Sequence, residues 1–120
     1  MVLDSNIIIY SANGNSFEEL FREKNLYASV VSKIEVLGFH KITAPQKENL
    51  EAFFDSIFIL ELTESVADEA ISLRQKRNIS LGDSIIAATA LVHKLPLVTA
   101  NVSDFKWIEE LEIINPLLSE

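Results

Sequence analysis

Four carboxylates, Asp4, Glu35, Asp83 and Asp104, are spaced so that one fold could gather them. Oxygen ligands of this kind suit a hard divalent cation, which can activate water and neutralise charge developing on a phosphate. Carboxylates packed together repel each other by about 1–4 kcal/mol per pair at ~4 Å, depending on effective dielectric. Such a cluster therefore requires a cation or retained protons. No other constellation competes. The chain has no cysteine, which removes disulfides, thiolate metal sites and a thiol nucleophile. His40 and His93 fall on helical segments with no catalytic motif around them and read as structural or surface residues.

The elements that must position these acids follow from the apolar pattern. Short apolar runs alternate with longer segments of 3.6-residue period, which predicts an α/β domain with a mainly parallel sheet of four or five strands. Strands are expected over 1–3, 26–31, 57–62, 97–99 and 111–114. A short helix should surround Ile7 to Tyr10, and Ser16-Phe17-Glu18-Glu19 is a capping box for a second. Further helices are predicted over 32–41 and from Pro45, with Leu50, Phe53, Phe54 and Ile57 on one face of the latter. Two more span 63–77, with Val66, Ala67, Ala70 and Ile71 on one side, and 83–93.

In this frame Asp4 ends the first strand, Asp83 opens an apolar helix, and Asp104 follows the fourth strand by a short loop. Functional loops of open parallel sheets gather at the carboxyl ends of the strands, so these acids could share a crevice. Glu35 differs. At helical spacing its neighbours are Val31, Gly38, Phe39 and Ile42, an apolar stripe in which a carboxylate should be neutral, paired or metal-bound. Each acid also has a plainer reading. Asp4, Asp83 and Asp104 could simply cap the segments that follow them, and Glu35 could be exposed on a helix of different phase.

Composition bounds the rest. With 48% apolar residues and only three Gly and three Pro in 120 residues, the chain should fold as one compact domain over 1–120. No apolar run approaches the ~18 residues of a membrane span, and the amino terminus lacks a signal-peptide pattern, so a cytoplasmic location is expected. The net charge of −8 disfavours non-specific nucleic-acid binding. Any work on nucleic acid would need bridging cations or a local basic patch. Arg74-Gln75-Lys76-Arg77 is the one dense basic run. It can complement a helix dipole, and Arg74 is its best candidate for a phosphate contact.

The segments 2–10, Val-Leu-Asp-Ser-Asn-Ile-Ile-Ile-Tyr, and 29–38, Ser-Val-Val-Ser-Lys-Ile-Glu-Val-Leu-Gly, resemble the PIN domain family, especially the VapC-type toxin ribonucleases. Segments 83–90, Asp-Ser-Ile-Ile-Ala-Ala-Thr-Ala, and 97–105, Leu-Val-Thr-Ala-Asn-Val-Ser-Asp-Phe, complete the resemblance in the same order. It implies a three-layer α/β/α sandwich and an endoribonuclease whose acids hold Mg²⁺ or Mn²⁺. Asp4, Glu35 and Asp83 match the family's first three acids and Asp104 the last. Many members carry an acid where Asn101 stands, and Ser84 replaces a frequent Ala. Asn6 and Thr99 match supporting polar positions. The resemblance also implies a homodimer and a small antitoxin partner. Apolar clusters at Leu50, Phe53 and Phe54 and at Phe17, Leu20 and Phe21 exceed an obvious minimum, although core packing would account for most of them.

Two other readings compete. A receiver-type phosphoacceptor domain would place adjacent acids after the first strand, an Asp after the third and a Lys after a late strand. Here Asp4 precedes Ser5, 57–62 ends without Asp, and no Lys directly follows a late strand. A PIN-like module kept for protein binding is the other, since ligand types alone do not establish geometry.

Overall fold

A computed structural model describes residues 1–14, 17–22 and 24–117, without the side chains of 19 and 20. The elements run β1 (Val2–Leu3), α1 (Ser5–Ala12), α2 (Glu18–Phe21), β2 (Tyr27–Ser29), α3 (Val30–Leu37), α4 (Ala44–Asp55) and β3 (Phe58–Leu60). They continue with α5 (Glu64–Lys76), α6 (Leu81–His93), β4 (Leu97–Val98), α7 (Val102–Phe105) and β5 (Ile113–Ile114). The strands form a sheet of order β3-β2-β1-β4-β5 in which all four pairings are parallel. Parallel neighbours need crossover connections, and the helices supply them.

Alternation along the strands divides the core in two. Val2 and Leu97 face a cluster built by Val66, Ala70 and Leu73 of α5 and by Ile85 to Ala90 of α6. Leu3 and Val98 point the other way, onto Ile7 and Ile8 of α1, Val36 of α3, and Leu50 and Phe54 of α4. This is the three-layer sandwich, with the period of two along each strand feeding opposite faces. Helix α6 is buried at every position from Ser84 to Ala90. Its run of small residues lets it lie close beneath the sheet.

Strand order separates the competing readings. The chain builds outward from β1 to β3, then returns to add β4 and β5 on the other side of β1. The order reverses between β1 and β4, and ligands bind at such switch points. A receiver has the order 2-1-3-4-5. The observed order excludes it.

Several boundaries differ from the sequence pattern, and hydroxyl caps explain most of them. Ser29 accepts from the Val31 N–H and starts α3 early, while Gly38 ends it, so 38–41 are not helical. Thr43 and Gln46 form a reciprocal capping box that opens α4 ahead of Pro45. Ser80, not Asp83, caps α6, accepting from the Asp83 N–H at 3.1 Å. The expected box at Ser16 lies outside the described residues, and Phe17 occupies the α2 cap position without a side-chain bond. On α5 the buried stripe is Val66, Ala70 and Leu73, leaving Ile71 exposed.

Candidate active site

Asp4 leaves β1 directly at the switch point and caps α1. Its Oδ1 accepts from the Ser5 N–H at 2.8 Å, and its Oδ2 accepts from the Thr99 hydroxyl at 2.7 Å. The second bond exists because β1 and β4 are paired neighbours, with Leu3 opposite Val98. Thr99 in turn accepts from the Asn101 N–H at 3.0 Å. Both oxygens of Asp4 are thus tied to opposite sides of the strand end, and the residue is only 5% exposed. Burial pushes its carboxyl above the ordinary range, against the Thr99 and Ser5 bonds, and the charge of Asp104 adds to the rise.

Asp83 occupies the first turn of α6. Its carboxyl is also raised, first by burial and then by the charge of Asp4, with Asp104 and Glu35 adding to the effect and the Ser80 hydroxyl offsetting part of it. Among the described residues, the charges that raise these two acids are themselves carboxylates. Four acids from β1, α3, α6 and α7 therefore share one electrostatic environment. The charges of Asp104, Asp4 and Glu35 reach Asp83, and that of Asp104 reaches Asp4.

Glu35 arrives differently from the expectation. It is exposed, not buried in an apolar stripe, because α3 ends at Leu37 and residues 39 and 42 lie beyond the helix. The buried face of α3 is instead Ser32 and Val36. The Ser5 hydroxyl holds Glu35 Oε1 at 3.2 Å and stands 3.1 Å from the Ser32 hydroxyl. One proton serves one bond, so Ser5 donates to the carboxylate and Ser32 donates to Ser5. On its other side Glu35 rests against Gly82, where a Cβ would collide with Oε2. Glycine at this position lets the rim of α3 approach the first turn of α6.

Asp104 and Asn101 also separate. Asn101 takes the cap position of the one-turn helix α7 without a side-chain cap bond, and Asp104 lies within that turn. Asp104, not a cap, is the residue whose charge reaches Asp4 and Asp83. Ser84 does not add a hydroxyl to the crevice: it is buried and donates to the Leu81 carbonyl at 2.7 Å. Asn6 is exposed on α1. Arg74 is exposed on α5 and donates to the Ile79 carbonyl at 3.0 Å, bracing the loop before Ser80. Sequence reasoning missed Ser5, Ser32, Ser80 and Gly82. Ser32, one helical turn before Glu35, was the readable signal.

The donor set fits a hard divalent cation: oxygen ligands, unshielded by basic groups in the charges acting on Asp4 and Asp83, and two of the acids held at raised proton affinity. The acids are gathered but not closed. Among the described residues no three acidic or histidine side chains already stand around one point at ligating distance. Beside the acids runs a groove of about 340 Å³, lined by Ile9, Val36, Phe39, Ile42 and Leu50 and opening onto Ser5 and Glu35.

An all-parallel α/β sandwich with carboxylates at its switch point defines a narrow class of acid-crevice domains. The PIN domain matches residues 1–110, and the chain belongs to the PIN-domain family. It is 46% identical to Ribonuclease VapC1 of Rickettsia felis over a 127-position alignment covering 95% of this chain and 94% of that one. Ribonuclease VapC10 of Mycobacterium tuberculosis is 31% identical over 122 positions, 93% and 90% of the two chains. A toxin–antitoxin complex from Klebsiella pneumoniae contains a chain superposing with TM-score 0.80 at 26% identity over 98% of each chain. VapBC2 of Rickettsia felis, solved bound to a DNA fragment from its promoter, gives 0.82 at 23% identity over 95% and 96%, a likeness of fold. PIN-domain ribonucleases are generally dependent on a divalent metal.

Proposed function

We propose that this protein, a single PIN-like domain over 1–120, is an endoribonuclease acting in the cytoplasm as the toxin of a toxin–antitoxin pair. One observation carries the reading: the chain matches a named ribonuclease along nearly its whole length, and Asp4, at the switch point of its sheet, and Asp83 feel the charges of other carboxylates. Hydrolysis adds water across a phosphodiester. A bond forms between phosphorus and the water oxygen, the bond to one ester oxygen breaks, and a proton ends on that leaving oxygen.

Asp4, Glu35, Asp83 and Asp104 would hold the cation, Mg²⁺ or Mn²⁺, which when bound supplies Lewis acidity and neutralises phosphate charge. Thr99 and the Ser5 N–H stop the Asp4 carboxylate from rotating. Ser5 steadies Glu35 from below, and Gly82 leaves it room. Such anchoring holds ligands near productive geometry without loop reorganisation. Arg74 uses one N–H group on Ile79 and keeps others for a substrate phosphate.

The partner reading rests on the groove between α1, α3 and α4. Its walls are mostly apolar and include Glu35, so an apolar antitoxin segment lying in it would also cover that acid. Homodimerisation would use apolar area left open elsewhere. Leu50 and Phe54 are core, and the rings of Phe17 and Phe21 pack 5.6 Å apart against it. Among the described residues, the exposed large apolar side chains outside that groove include Ile34, Phe58, Leu62, Ile71 and Leu81. Sedimentation showing only a 13.5 kDa species at micromolar concentration would remove the dimer.

The decisive test is cleavage of a structured RNA pool with Mg²⁺, Mn²⁺ or EDTA. Wild type should cut only with metal, and Asp4→Asn should not cut. Metal-independent cleavage that survives Asp4→Asn overturns the reading. A folded wild type that binds an antitoxin peptide yet cuts nothing supports the protein-binding alternative.

A further inference from the structure

Helix α7 is a single turn of four residues, Val102–Phe105, too short to be stable by itself. Its cap residue Asn101 makes no side-chain cap bond. Phe105 anchors it from below, fully buried, but says little about rotation of the turn about that anchor. The carbonyls at the end of such a helix lack intrahelical partners. That of Asp104 is met by the indole N–H of Trp107 at 2.9 Å. The Trp107 ring packs on the α5–α6 side of the core, and the Arg77 guanidinium lies over it, 5.4 Å from the ring centre. A cation over an indole is worth about 0.5–1 kcal/mol at an exposed site. Arg77 caps the end of α5, so the clasp joins that helix end to the α7 turn.

We propose that Trp107, clamped by Arg77, is a positioning residue for Asp104: the indole bond to the Asp104 carbonyl sets the rotation of the α7 turn and so aims the Asp104 carboxylate at Asp4 and Asp83. The inference rests on the metal-site reading and adds to it a device outside the acids. It also gives the basic run a second role, because Arg77 acts through an aromatic ring, whereas Arg74 acts through a loop carbonyl.

The test is Mn²⁺ binding followed by electron paramagnetic resonance, with no RNA present, on wild type, Trp107→Phe, Arg77→Gln, Asp104→Asn and the double variant Trp107→Phe/Asp104→Asn. Trp107→Phe keeps a ring for Arg77 and removes only the donor. It should weaken Mn²⁺ binding about fivefold, and Arg77→Gln about twofold, in keeping with one exposed bond and one exposed cation–ring contact. In the Asp104→Asn background Trp107→Phe should add nothing, because the tryptophan acts through that acid. Arg77 is exposed, so its variant remains informative even if Trp107→Phe unfolds. Additive losses, or Trp107→Phe and Arg77→Gln proteins binding Mn²⁺ as wild type does, overturn the positioning role alone. A wild type that binds no Mn²⁺ overturns the metal site beneath it.

Discussion

The crevice has a floor and a rim, and they are held in different ways. Asp4 and Asp83 form the floor, packed against the strand ends and the first turn of α6, with their proton affinities raised mainly by burial. Glu35 and Asp104 form the rim, both exposed, and each depends on short-range contacts for its direction. Placing the floor acids opposes folding, while the rim acids rely on neighbours such as Ser5, Gly82 and Trp107. A site of this kind buries the ligands that must be most rigid and leaves the adjustable ones near solvent.

The largest expected effect is on activity. Asp4→Asn or Asp83→Asn should reduce RNA cleavage by about 10³-fold or more, and Asp104→Asn by about 10–100-fold, measured as initial rates at saturating metal. Equal losses at floor and rim would remove the distinction. Next comes Thr99→Val, which keeps the shape but leaves the Asn101 N–H without its acceptor and Asp4 Oδ2 without its donor. We expect a stability loss of about 1–3 kcal/mol by urea denaturation, together with a fall in cleavage.

Stability against pH sharpens the same contrast. A carboxyl raised in the folded chain costs stability wherever the native chain must hold it ionised, at pH above its folded value. As pH falls through the raised value the native chain binds its proton first, and the relief is complete below the usual value of 3.8. Metal-free Asp83→Asn should therefore be more stable than wild type at neutral pH, by an amount that partial exposure of the residue keeps small. That difference should shrink toward zero as pH falls through the window. A difference that grows in acid would contradict the raised carboxyl. The smallest effect is Gly82→Ala. It should stabilise α6 by a few tenths of a kcal/mol, what remains of a helix-propensity gain of about 1 kcal/mol once the Glu35 carboxylate is pushed aside, and slow cleavage by less than about tenfold.

Much of the floor was legible along the chain. An Asp directly after a short apolar strand and another at the start of a small-residue helix are local patterns, and both acids stand where those patterns placed them. The rim was less legible. Glu35 sits in an apolar pattern that continues past Gly38, but the helix does not, so spacing assigned it to a stripe that never forms. Helix ends are decided by caps worth about 1 kcal/mol each, and hydroxyls at Ser29, Thr43 and Ser80 won contests that periodicity does not record. Ser84 shows the converse. Its hydroxyl turned inward to a carbonyl one turn back, satisfying itself locally in place of joining the acids.

By itself, the sequence determined the alternation of strands and helices, the small-residue face of α6 and the presence of acids at element ends, because these depend on residues within one or two turns of each other. Only the tertiary structure decided which acids would be costly and which exposed. Thr99 reaches Asp4 across 95 positions of chain, and Gly82 meets Glu35 because α3 and α6 happen to cross there. Burial and electrostatic environment belong to neighbours brought together by the sheet order, and that order is a global property of the packed chain.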